Sequence, residues 1–191
     1  MRPSRRATSL ALPLLAALAF TSVHPASVAA QSQGEPPSVG EIAPNFTVTG
    51  ATRYGILQDQ VSLSDFRGKT VVLAFFPRAR TQGCTIQMHA YRDQYSELFH
   101  DGQDVVLIAM SMDSPEDLHS WAKDDQFQFL MASDQSGTVA EAYGASRGRI
   151  ANRYLFVIGP DGAITDTMIP FAEVDPTSYE ALSAAIEAVA Q

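Results

Sequence analysis

Between residues 40 and 191 the apolar positions fall into short runs separated by polar turns. Residues 70–76, 104–112 and 153–158 are almost continuously apolar, the pattern of strands covered on both faces. Shorter strand-like stretches lie at 45–49, 55–63 and 128–131, bounded by glycine and polar residues. Helices are expected from the segment around Cys84 to about His100, from Ser114 through Lys123, over 136–143 and over 176–190. The second of these carries its own start signal: Ser114 as N-cap, Pro115 at the first helical position and Asp117 at the third. Residues 64–69 read as a turn. Gly159-Pro160-Asp161-Gly162 turns the chain into 163–169, which makes a hairpin. The order is β-α-β-α, then β-hairpin-α, so parallel units come first and an antiparallel pair closes the sheet. The fold class this predicts is α/β: a sandwich with a mixed central β-sheet and helices on both faces.

The first thirty residues have a different pattern. Arg2, Arg5 and Arg6 precede an apolar run over 10–20, and small residues lead to Val28-Ala29-Ala30. This is the layout of a cleaved signal peptide over 1–30, with an apolar run too short to span a bilayer. It predicts a periplasmic or secreted protein with no stable membrane insertion. Ser4-Arg5-Arg6 suggests twin-arginine export, but polar Thr8 and Ser9 stand where apolar residues are wanted, so the route stays open between that and general secretion. Residues 31–39, with Pro36 and Pro37, read as a disordered leader, and 40–191 as one domain.

Charge narrows the partners. The chain has 13 basic and 21 acidic residues, and without the first thirty residues ten basic face twenty-one acidic, a formal charge of −11. Such a surface argues against nucleic acid or an anionic membrane. The four histidines (His24, His89, His100 and His119) are scattered, with no metal-ligand spacing. There is one cysteine, Cys84, so no internal disulfide can form.

A lone thiol in an oxidising compartment is a liability unless it is used. Cys84 follows a buried strand and stands in the first turn of an expected helix, where free N–H groups and a partial positive charge favour an anion. Thr81 can bring a hydroxyl to the sulfur or to a bound oxygen, or it can serve as the helix cap. Pro77 fixes the backbone direction and can shield the sulfur from water. A cation would complete the site; Arg78, Arg80, Arg92, Arg147, Arg149 and Arg153 are all candidates by position.

Pro77, Thr81 and Cys84, together with Gly40-Glu41-Ile42-Ala43-Pro44-Asn45-Phe46, the turn from Leu63 to Lys69, Arg92-Asp93, Ser133-Asp134 and Arg153-Tyr154-Leu155-Phe156-Val157-Ile158, resemble a peroxiredoxin of the thioredoxin-like fold, the bacterioferritin comigratory protein type. The resemblance runs almost from Gly40 to the C-terminus. It implies that Cys84 is the peroxidatic cysteine, that Thr81 and Arg153 hold a peroxide, and that Pro77 belongs to the site. It implies a thiol-dependent peroxidase that needs no cofactor, acts on hydrogen peroxide or an organic hydroperoxide, and is a monomer or a homodimer. Two departures stand out. Position 82 is Gln where close relatives carry Pro, and position 89 is His where atypical members place a resolving cysteine. The resemblance is therefore to a one-cysteine enzyme, its Cys84 sulfenic acid reduced by an external thiol, either a thioredoxin-like protein or a low-molecular-weight thiol. A non-enzymatic redox sensor and a degenerate redoxin-fold binding module are the competing readings.

Around the site, Gln87 reads as an exposed helix position and His89 as an exposed helix residue pointing away from Cys84. Arg92 reads equally as a support of the site or as a helix salt bridge. Trp121 and Leu118 read as core.

Overall fold

The computed structural model describes residues 34–189. The signal-peptide expectation lies outside them. Three strands run side by side in parallel: β4 (Thr70–Phe75), β5 (Val105–Ser111) and β6 (Leu130–Ser133), with β5 in the middle. On the far side of β4 the sheet continues antiparallel with β9 (Leu155–Ile158) and β10 (Ile164–Met168). Beyond β6 it continues with β1 (Thr47–Thr52), also antiparallel. The mixed central sheet is thus as expected, with antiparallel pairing at both edges.

Side-chain alternation along the central strands sorts the core into two layers. Val72, Ala74, Val105, Leu107, Ala109, Leu155 and Val157 face one side. There they meet α1 (Gln82–Asp93), α2 (Tyr95–Phe99), α3 (Pro115–Asp124) and α5 (Pro176–Val189). Val71, Leu73, Phe75, Ile108, Met110, Phe156 and Ile158 face the other, against α4 (Thr138–Ala142) and a 3-10 turn at Leu63–Phe66. Helices therefore cover both faces. In α5 the buried residues Tyr179, Leu182, Ala185 and Ile186 fall on one stripe at three- and four-residue spacing, which is what docks it. Trp121 and Leu118 are core, as read from the sequence.

Several boundaries differ from expectation. The strand expected over 55–63 is two short pieces, β2 (Gly55–Ile56) and β3 (Val61–Ser62), which pair with opposite ends of β1. The long helix expected to reach His100 is broken at Gln94, whose backbone (φ −108°, ψ 20°) leaves helical geometry; α2 then ends at His100 in the left-handed region. A small hairpin of β7 (Ser146–Arg147) and β8 (Ile150–Ala151), unforeseen in the sequence, surrounds Gly148. Residues 34–39, part of the stretch read as a disordered leader, form no regular element; Pro37 is buried there.

Candidate active site

Strand β4 delivers the chain into the site. Phe76 still bonds to Met110 O, and the half-buried Pro77 then turns the backbone away from the sheet. The loop 77–81 is tied down from outside. Ala79 N–H donates to Asp113 Oδ2 at 2.8 Å, and that carboxylate also accepts from Ser111 Oγ at 2.8 Å. Arg80 adopts a left-handed backbone (φ 62°) and reaches across to Asp124 (2.6 Å) and Ser120 (3.0 Å) on α3. Thr81 is the N-cap residue of α1; its hydroxyl donates to Arg78 O at 2.9 Å, closing the loop, and its carbonyl accepts from Thr85 N–H.

Cys84 is the third residue of α1, a position whose N–H has no partner within the helix. It is fully buried, in the layer that also holds Met88 and Tyr91. Of the six cations the sequence left open, Arg153 is the one whose guanidinium meets the thiol, with Nη2 3.7 Å from Sγ. Arg78, Arg147 and Arg149 are exposed, and Arg80 is committed to α3. Arg153 lies just before β9, and its carbonyl accepts from Phe171 N–H at 2.9 Å.

The guanidinium has two further partners. Nη1 donates to Gln87 Oε1 in a short contact, and Nε pairs with Glu173 Oε2 at 3.0 Å. Gln87 in turn donates through Nε2 to Tyr91 Oη at 2.9 Å. Burial drives the Tyr91 phenol far above its ordinary range, so it stays neutral. The Tyr179 phenol is pushed up to about 12, chiefly by burial and then by the charge of Glu173, with Arg153 opposing; its hydroxyl donates to Glu173 O at 2.9 Å. Gln87 is therefore not the exposed helix residue expected: it is fully buried, because it shares Cys84's face of α1 at i+3. Glu173 escaped the sequence reading altogether, for it arrives from the loop between β10 and α5, twenty positions beyond Arg153.

His89 and Arg92 face elsewhere on α1. His89 Nε2 lies 2.9 Å from Asp125 Oδ2, and Arg92 binds Asp93 (2.8 Å) and Asp125 O (3.1 Å). His89 is thus partnered rather than simply exposed, and Arg92 is a salt bridge of α1, reaching α3's end rather than Cys84.

A thiol at a helix N-terminus, touched by a guanidinium that is itself held on two sides, can serve as a nucleophile with charge stabilisation beside it. The AhpC/TSA family profile matches residues 39–167. The chain belongs to the AhpC/TSA family. It is 34% identical over 137 residues to Peroxiredoxin Bcp of Escherichia coli strain K12, covering 68% of this chain and 83% of that one. Among solved structures it resembles Peroxidoxin BcpB from Mycobacterium tuberculosis, with TM-score 0.67 and 25% identity over 79% of this chain and 97% of that one. It also shares the fold of the reduced 2-Cys peroxiredoxin of Plasmodium vivax, with TM-score 0.69 and 22% identity over 81% of this chain and 83% of that one. The enzyme is accordingly a Bcp-type peroxiredoxin, a thiol-dependent peroxidase and oxidoreductase of thioredoxin-like fold. In this peroxiredoxin the thiol stands alone, with no second cysteine anywhere in the sequence.

Proposed function

We propose that this peroxiredoxin is an exported one-cysteine peroxidase working through a Cys84 sulfenic acid. The observation that carries the reading is the contact between Arg153 Nη2 and Cys84 Sγ at the first turn of α1. The Cys84 thiolate attacks one oxygen of the peroxide. An S–O bond forms, the O–O bond breaks, and the sulfur is oxidised by two electrons. The departing oxygen takes a proton and leaves as water or an alcohol. Arg153 and the N–H groups of the first turn stabilise the charge that develops on that oxygen; Pro77 and Thr81 shape the loop that leads into that turn, Thr81 as the N-cap residue with its hydroxyl on Arg78 O.

Resolution follows from cysteine arithmetic. An external thiol condenses with the sulfenic acid, releasing water and leaving a mixed disulfide; a second thiol then regenerates Cys84 and departs as the external disulfide. Both a thioredoxin-like protein and a small thiol fit this role. The pattern of Arg2, Arg5, Arg6, the apolar run and Val28-Ala29-Ala30 supports export. The absence of a second cysteine also favours one alternative, a sensor that oxidises once and signals through its changed surface. Turnover separates them. With excess dithiothreitol and peroxide, the peroxidase consumes many peroxides per Cys84; consumption that stops near one per chain contradicts the enzyme and leaves the sensor.

A further inference from the structure

We propose that Glu173 is a positioning residue for peroxide reduction, holding the Arg153 guanidinium so that Nη2 faces the Cys84 sulfur. The inference rests on the peroxidase reading of the site. An arginine side chain has many rotamers, but its guanidinium is a rigid planar fork. Fixing two of its nitrogens fixes the direction of the third. Here Nε is held by Glu173 and Nη1 by Gln87, which leaves Nη2 directed at Sγ.

The two anchors come from different elements, Gln87 from α1 and Glu173 from the loop before α5. That loop is itself secured by Phe171 N–H on Arg153 O and by Tyr179 Oη on Glu173 O. The pair is mostly enclosed, with side-chain exposures of 13% for Arg153 and 21% for Glu173, so it differs from a surface ion pair free to wander. Position 83 supplies an independent sign. Gly83 is the second residue of α1, a helical position although glycine is among the poorest helix formers. A Cβ there would run into Glu173 Oε1 and stand 3.0 Å from Arg153 Nη2. The carboxylate and the guanidinium occupy the space a side chain at 83 would take.

The test compares two reactions of Cys84 in the full chain: oxidation by hydrogen peroxide, which uses Arg153 to stabilise the departing oxygen, and alkylation by iodoacetamide, which has no such need. Glu173→Ala and Gly83→Ala, which remove or displace the anchor, are expected to slow oxidation roughly tenfold or more without slowing alkylation. Glu173→Gln keeps the shape and an oxygen beside Nε and is expected to retain most of the oxidation rate. Oxidation of Glu173→Ala at the wild-type rate overturns the inference, as does an equal loss of both reactions or a Glu173→Gln no better than Glu173→Ala. A wild-type protein that reacts with peroxide no faster than free cysteine overturns the peroxidase reading instead, and the role of Glu173 falls with it.

Discussion

Two polar clusters hang from the same helix, and the contrast between them shows what turns a polar cluster into a reactive site. On the inner face of α1, Cys84, Gln87 and Tyr91 meet Arg153 and Glu173. On its outer side, His89 and Arg92 meet Asp125, whose carboxylate also accepts from Trp121 Nε1 at 2.7 Å. Both contain charge pairs and several hydrogen bonds. The inner cluster draws on three separate parts of the chain and sinks its members beneath the surface, so one donor of a clamped guanidinium is left for the sulfur. The outer cluster joins two helices at a half-exposed edge, and its donors are spent on structure: His89 and Arg92 tie α1 to Asp125 at the end of α3, while Arg92 also binds Asp93 and Trp121 also binds Asp125. Burial also strengthens each interaction in the inner cluster, because solvent screens it less.

The largest effect separating the clusters is expected from Arg153→Met. It keeps an unbranched stem and removes every donor, and should lower the rate of Cys84 oxidation by about a hundredfold or more, read by stopped-flow or rapid quench. Gln87→Leu sharpens the picture within the inner cluster. It leaves the buried Tyr91 hydroxyl and Arg153 Nη1 without their partner, and should cost about 1–3 kcal/mol in urea unfolding while also slowing oxidation. An unchanged stability would show that Gln87 is dispensable to the buried network.

The smallest effect belongs to the outer cluster. His89→Ala should leave peroxide oxidation unchanged and cost under about 1 kcal/mol, as expected of a half-exposed pair. It has a pH signature. Burial acts to raise the Asp125 carboxyl, but hydrogen bonds from His89 and Trp121 prevail and hold it below the ordinary 3.8. A carboxyl lowered in the folded state stabilises the protein above its unfolded value and loses that contribution as the pH falls through the folded one. Wild type should therefore lose stability below about pH 3.8, and His89→Ala should lose less over the same window, in unfolding curves taken across acid pH.

How much of this was legible in the sequence follows from where each signal resides. The buried runs at 70–76 and 104–112 gave β4 and β5 because a strand covered on both faces has few polar positions. Cys84, Thr81 and Pro77 can be grouped from the sequence because they lie within eight positions of one another, after a strand and at a helix start. Arg153 could be chosen among six cations only through the family resemblance, since composition and spacing treat them alike. Gln87 left a local signal, its i+3 spacing from Cys84 on a face shared with Met88, that a preference for exposed glutamine outweighed. Glu173 left none: its place is set by the return of the chain after β10, a long-range closure that no local pattern encodes. The break at Gln94 was equally hidden, because the apolar spacing of Tyr91, Leu98 and Phe99 is compatible with one continuous helix.

The central claim is that the surroundings of Cys84, rather than the bare thiol, perform the peroxide chemistry. The direct measurement is the second-order rate of Cys84 oxidation by hydrogen peroxide, followed by dimedone trapping of the sulfenic acid, which the six methionines do not give, and set against free cysteine at the same pH; with one cysteine in the sequence the adduct can form only at Cys84. A rate orders of magnitude above free cysteine, lost in Arg153→Met, is the predicted result. A rate equal to that of free cysteine in the folded wild-type protein would contradict it.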